Sequence, residues 1–142
     1  MRALCDVNVL IALFDGGHVH HDLAHRWWFH NRRSGWATCP LTENGFVRVL
    51  SQPHYPNRVS ATAAIEFLES ARQTPRHEFW TDDVSLTSQE VFVRDRILSS
   101  KLITDLYLLS LAVRRNARLV TFDKNIPLSA VVGATTQNLI AL

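Results

Sequence analysis

Four acidic residues occupy positions where chemistry, rather than solvation, is the natural use of a carboxylate. Asp6 closes a short apolar run, Glu43 opens the segment after a second one, Asp105 opens the most apolar stretch of the chain, and Asp123 closes a Leu-Val-Thr-Phe run. Any one of them could cap a helix or complement its dipole. Four brought together would repel one another and raise each other's pKa, so such a cluster persists mainly when a cation compensates it. An all-oxygen set without His or Cys selects hard ions, Mg²⁺ or Mn²⁺. A cation that keeps its waters and touches few carboxylates is suited to phosphate chemistry.

Other side chains compete for attention. His18, His20, His21 and His25 crowd one short segment, and His21 with His25 has the i, i+4 spacing of metal ligands. No Glu of a zinc-protease motif accompanies them, so a solvated helix start able to touch a phosphate is expected there, with His20 and His21 as contacts. The Trp27-Trp28-Phe29 run reads as core plus partner surface. Arg32-Arg33 and Arg114-Arg115 read as solvated helix ends, and Arg32 and Arg33 are candidates for phosphate contact. Cys5 and Cys39 have no paired spacing, which excludes a disulfide framework or zinc ribbon and leaves two buried, reduced thiols.

The elements that must position the acids follow from periodicity. Residues 2–6 read as a buried strand, then a short helix runs to Gly16-Gly17. Leu23, Ala24, Trp27 and Trp28 mark a helix over about 20–33. A strand at 36–39 ends at Pro40, and a helix is expected over 42–51, followed by a proline-rich loop at 52–56. Ser60 is a candidate N-cap for a helix over 60–73. A strand is expected at 77–81, and a short helix plus loop at 85–102. The helix from Thr104 is apolar nearly all round, hence deeply buried, with Asn116 as its cap. Strands follow at 118–122 and, at an edge, 136–142. Strands alternating with helices give an α/β fold with a mainly parallel sheet. In such sheets ligand chemistry sits beyond the carboxyl ends of the strands, where all four acids fall.

Composition bounds the rest. The 142 residues, 46% apolar and 20% charged, suit a single domain over 1–142 with its own core. Net charge is only +2, so nucleic acid is not demanded by charge alone. All basic residues except Lys101 and Lys124 are Arg, whose planar fork matches phosphate. Asp6 and Asn8 break the first apolar run before it could serve as a signal peptide, and no segment approaches the ~20 apolar residues that span a bilayer. A cytoplasmic protein without a membrane partner is expected.

Four segments in order, at 6–10 (Asp-Val-Asn-Val-Leu), 40–51 (Pro-Leu-Thr-Glu-Asn-Gly-Phe-Val-Arg-Val-Leu-Ser), 104–112 (Thr-Asp-Leu-Tyr-Leu-Leu-Ser-Leu-Ala) and 121–123 (Thr-Phe-Asp), resemble the motifs of PIN-domain proteins, and more narrowly the VapC toxins of bacterial toxin–antitoxin pairs. The resemblance covers essentially the whole chain. It departs locally, with Ser99-Ser100-Lys101 where relatives often carry Gly-His. It implies a three-layer α/β/α domain, its central sheet flanked by helices. It also implies metal-dependent endonucleolytic cleavage of RNA, leaving a 5′-phosphate and a 3′-hydroxyl. By this resemblance Asp6, Asp105 and Asp123 match metal ligands and Glu43 a further catalytic acid. Asn8, Thr104 and Thr121 match small polar positions that orient carboxylates or water. A homodimer and a cognate VapB-like antitoxin are implied too, and an acidic pocket built for a dication also suits an Arg guanidinium. Two alternatives remain open: a haloacid-dehalogenase-type phosphohydrolase, although Asn8 stands where that family has its second acid, and a non-catalytic PIN-like binding module.

Overall fold

The computed structural model describes residues Met1–Leu142. Five strands and five helices alternate: β1 Ala3–Cys5, α1 Val7–Phe14, α2 His21–Asn31, β2 Trp36–Thr38, α3 Pro40–Leu50, α4 Ala61–Arg72, β3 His77–Phe79, α5 Ile103–Arg114, β4 Arg118–Thr121 and β5 Leu139–Ala141. The sheet order is β3-β2-β1-β4-β5 and every pairing is parallel. The chain steps outward from β1 to β3, then returns to lay β4 on the other side of β1. That reversal creates a switch point between β1 and β4, where parallel sheets open a crevice at their carboxyl ends.

Handedness follows from the same reversal. Right-handed crossovers in one direction place helices on one face, and a crossover in the other direction places its helix on the opposite face. Accordingly Ala3, Cys5 and Val120 pack with residues of α1–α4, whereas Leu4 and Leu119 pack with α5. The period of two along strands only three or four residues long is enough to split the core into two layers. No helix is long and apolar enough to cross a membrane.

Local signals explain most element ends. Asp6 is the N-cap of α1, its carboxylate accepting from the Val7 N–H at 2.6 Å, so the expected last residue of the strand instead begins the helix. Pro40 starts α3 rather than merely ending β2, because proline lacks only a donor that the first helical turn would leave unpaired. Ser60 caps α4 through the Ala63 N–H. Asn116 takes φ 50 just beyond α5, whose cap is Arg115. Gly45 lets α3 lie against α1: a Cβ there would stand 2.6 Å from Val7 Cγ2.

One element differs from expectation. Residues 85–102 form no α-helix, only two 3₁₀ turns at Arg94–Arg96 and Ser100–Leu102. Ser85 and Thr87 hydrogen-bond each other locally, an alternative to helix that hydroxyl side chains offer the backbone. The buried Phe92 forms an antiparallel bridge to Val131 and pins the segment extended beneath α5.

Candidate active site

Asp6 and Asp123 leave the sheet on either side of the switch point, and α5 brings Asp105 over it. Asp6 is buried and its Oδ2 accepts the Thr121 hydroxyl at 2.7 Å. That hydroxyl has a single proton, so its remaining partners must donate to it. The Asp123 N–H does so at 3.1 Å and the Asn8 Nδ2 at 3.3 Å. Thr121, itself fully buried, thus ties the ends of β1 and β4 to one oxygen. Asp123 is fixed further by the Asn125 N–H, which donates to its Oδ1 at 2.7 Å.

Electrostatics shows which acids feel one another. Burial raises the Asp105 carboxyl to about pKa 6, helped by the charges of Asp6 and Asp123, and no hydrogen bond offsets this. Burial also raises Asp6, opposed by its bonds from Thr121 and Val7 and reinforced by the Asp123 charge. The three aspartates therefore form one electrostatic group. Asn8 adds a second sign of a missing partner. Because its amide NH₂ must face Thr121, its Oδ1 is buried without a hydrogen bond. Such an orphan acceptor costs on the order of 1–3 kcal/mol. A donor set of hard oxygens with an orphaned carbonyl beside it fits a divalent ion in chemistry. No three His, Cys, Asp or Glu side chains close on one point tightly enough to hold an ion as they stand. Carboxylates drawn into a single coordination sphere repel, and the spread geometry relieves that repulsion.

Glu43 is not in this group. Its Oε1 accepts the Thr38 hydroxyl at 2.6 Å and its Oε2 lies 3.5 Å from an Arg72 guanidinium nitrogen. Since the Thr38 proton is committed to Glu43, His77 Nε2, 2.8 Å from the same oxygen, must be the donor. Burial and the cations Arg72 and Arg2 push the His77 pKa down to about 4, which keeps the ring neutral in that role. The chain His77–Thr38–Glu43–Arg72 borders a groove of ≈ 760 Å³ between α3, α4 and the edge strand β3. Glu43 stands at the carboxyl end of β2 as expected, with its side chain turned to this groove.

The remaining candidates divide. Thr104 lies inside α5, exposed, and makes no hydrogen bond to an acid. His20 and His21 sit at the start of α2, near the carboxyl edge of the sheet. Arg32 and Arg33 follow the end of that helix, at the amino edge. With a rise of 1.5 Å per residue they stand roughly 16 Å down the helix from His21, away from the acids. Arg115 is no free helix end either: it bonds Asp83 at 3.1 Å and lies over Trp80. Trp27 is buried and Phe29 exposed, as core plus outer surface requires. Sequence reading missed Thr38, Arg72 and His77, because only the fold juxtaposes them. It also passed over Phe122, whose place between Thr121 and Asp123 was a usable signal.

A family model described as PIN domain matches residues 3–131, and the chain belongs to that family. Its relatives there are VapC ribonucleases. Ribonuclease VapC44 of Mycobacterium tuberculosis is 51% identical over 142 residues, spanning 100% of both chains. Ribonuclease VapC39 of the same organism is 44% identical over 135 residues, 94% of this chain and 96% of that one. Among solved structures, Mycobacterium tuberculosis VapC20, described as a sarcin-ricin loop cleaving toxin, superposes with a TM-score of 0.61 at 13% identity, covering 87% of this chain and 91% of that one. VapBC2 from Rickettsia felis, bound to a DNA fragment from their promoter, superposes with a TM-score of 0.58 at 18% identity over 89% of this chain and 94% of that one. At those identities the two structures speak for the fold alone. The phosphohydrolase alternative has no counterpart among these relatives.

Proposed function

We propose that this chain is the toxin of a VapBC pair: a metal-dependent endoribonuclease acting in the cytoplasm as one domain over residues 1–142, and held in check by a VapB-like antitoxin. The observation that carries the reading is the trio Asp6, Asp105 and Asp123, electrostatically coupled at the switch point of a chain whose relatives are ribonucleases. PIN-domain VapC ribonucleases generally depend on a divalent metal, and here Asp6, Asp105 and Asp123 would hold Mg²⁺ or Mn²⁺. Such an ion, when bound, supplies Lewis acidity toward a phosphodiester and acidifies water.

This chain's own residues do the positioning. Thr121 fixes the Asp6 carboxylate and accepts from the Asn8 amide, which leaves the Asn8 carbonyl oxygen buried and unpaired beside the acids. Asp105, raised to about pKa 6 by burial and the neighbouring charges, can carry a proton close to neutrality. Glu43 acts as the fourth acid only after it leaves Arg72. An antitoxin Arg entering the trio would form bidentate pairs with carboxylates and compete with metal. A homodimer, by resemblance to the VapC toxins, completes the assembly.

The test is cleavage of structured RNA across a Mg²⁺ and Mn²⁺ series, with and without the co-expressed neighbouring antitoxin. Cleavage that requires the ion and falls with antitoxin is expected. Cleavage untouched by EDTA would defeat the metal reading, and a neighbour that binds without inhibiting would defeat the toxin reading.

A further inference from the structure

The histidines that look like one cluster in the sequence separate into two pairs. His21 Nδ1 lies 2.8 Å from the Ala12 carbonyl oxygen and His25 Nε2 lies 2.9 Å from that of Leu13. These carbonyls belong to the last turn of α1, which leaves its final acceptors unpaired within the helix. That pair, with ring centroids 4.2 Å apart, is committed to capping α1 rather than to a metal.

His18 and His20 turn instead to Phe122. The His20 and Phe122 rings are stacked, with centroids 4.6 Å apart and planes at 28°, and His18 stands beside both, 6.3 Å from the phenyl centroid at 20° and 5.8 Å from the His20 centroid. Phe122 packs against the α1–α4 side of the core and is the residue between Thr121, which holds Asp6, and Asp123. The stack therefore shares the carboxyl end of β4 with the acid trio, one residue along the chain from Thr121 and from Asp123. His20 is exposed, so its ring can be reached from solvent.

The loop that presents these rings is held rigidly. Asp15 is buried and accepts from the Tyr55 hydroxyl, from Asn57 Nδ2 at 2.9 Å and from the Gly17 N–H at 2.9 Å. A Cβ at Gly17 would meet Asn57 Nδ2 at 2.5 Å, so a larger residue there would displace the amide that donates to Asp15. The His18 N–H donates to the Asp15 carbonyl at 3.0 Å, and the His20 N–H donates to His18 Nδ1 at 3.0 Å. That last bond needs an unprotonated His18, and burial together with neighbouring His20 lowers its pKa accordingly. No carboxylate forms an ion pair with either ring. What remains is a preorganised aromatic face at the same sheet edge as the proposed phosphodiester-cleaving centre. Protein rings of this kind bind unpaired bases, which present a flat π surface whatever their identity.

We propose that the His20–Phe122 stack, flanked by His18, is a base platform, on which the unpaired base of a nucleotide adjoining the cleaved phosphate stacks against His20. The platform rests on the nuclease reading of the trio and sets the register of RNA across it. His20 binds substrate and takes no part in proton transfer.

The experiment compares His20→Ala and His20→Phe on an RNA oligonucleotide containing the cleavage site, and on the same RNA made abasic at each flanking nucleotide in turn. Stacking strength per base translates to roughly a tenfold effect. His20→Ala should raise KM about tenfold on intact RNA with kcat retained, His20→Phe should restore KM, and at one flanking position the abasic substrate should show no difference between variants. An unchanged KM, a fall in kcat alone, or an equal loss on intact and abasic RNA would overturn the platform. Binding of short labelled single-stranded oligoribonucleotides to the Asp6→Asn protein separates this from the nuclease reading. There His20→Ala should weaken binding about tenfold even without cleavage, and equal affinity would again overturn the proposal.

Discussion

Replacing Asp105 by Asn keeps the shape of the side chain and removes one of three mutually repelling charges. Asp105 titrates at about 6 in the folded chain, against an ordinary value of 3.8, because it is half-buried and faces Asp6 and Asp123. A folded-state pKa raised above the unfolded one means that the native state binds the extra proton. The contribution of Asp105 to stability is then most favourable below about pH 4 and declines as pH rises to 6. The difference corresponds to about 3 kcal/mol, and partial exposure discounts this to about 1–2 kcal/mol. In EDTA, urea unfolding at pH 7.5 should therefore show Asp105→Asn more stable than the parent by that amount, or about 3–6 °C in Tm, with no gain at pH 4. Added Mg²⁺ should stabilise the parent and leave the variant unmoved, because binding to the native state alone raises stability by mass action. A variant less stable at pH 7.5, or equally stabilised at both pH values, would refute carboxylate burial and repulsion as the main cause.

Three further outcomes are expected. Asp6→Asn should fold normally and lose RNA cleavage by about 10²-fold or more, several kcal/mol of transition-state stabilisation, as read by initial rates in saturating Mg²⁺. Arg72→Gln should release Glu43 from a pair worth at most about 1 kcal/mol and lower the Mg²⁺ concentration for half-maximal cleavage by up to about fivefold. Gly45→Ala should destabilise the fold by about 1–2 kcal/mol in chemical denaturation, overpacking against Val7 outweighing the gain in helix propensity, and Val7→Ala should restore it.

The elements were legible wherever one local rule acted without a rival. α4 begins at the Ser60 cap, and α5 shows its burial in an unbroken apolar surface. The parallel sheet followed from alternation, since each strand up to β4 had a helix before the next. Legibility failed where tertiary contacts outweighed local preference. Residues 85–102 carry enough apolar groups for a helix, yet Phe92 gains more by pairing beside Val131 under α5. Within the site, Asp6, Asp105 and Asp123 lie where strand ends and helix starts put them. The direction of Glu43 was beyond sequence reading, because Arg72 and His77 reach it only through the placement of α4 and β3. The division of the His18–His25 run was hidden for the same reason: its two pairs serve α1 and Phe122, neither adjacent in sequence.

The chemistry of the cut ends tests the central claim most directly. The protein, stripped with EDTA and then supplied with Mn²⁺, should be incubated with an end-labelled structured RNA, and the product termini mapped by phosphatase and ligation. Hydrolysis at the aspartate trio predicts ion-dependent products bearing a 5′-phosphate and a 3′-hydroxyl. Products ending in a 2′,3′-cyclic phosphate and formed equally well in EDTA would contradict it, and would move the reaction from the acids to side chains such as the neighbouring histidines.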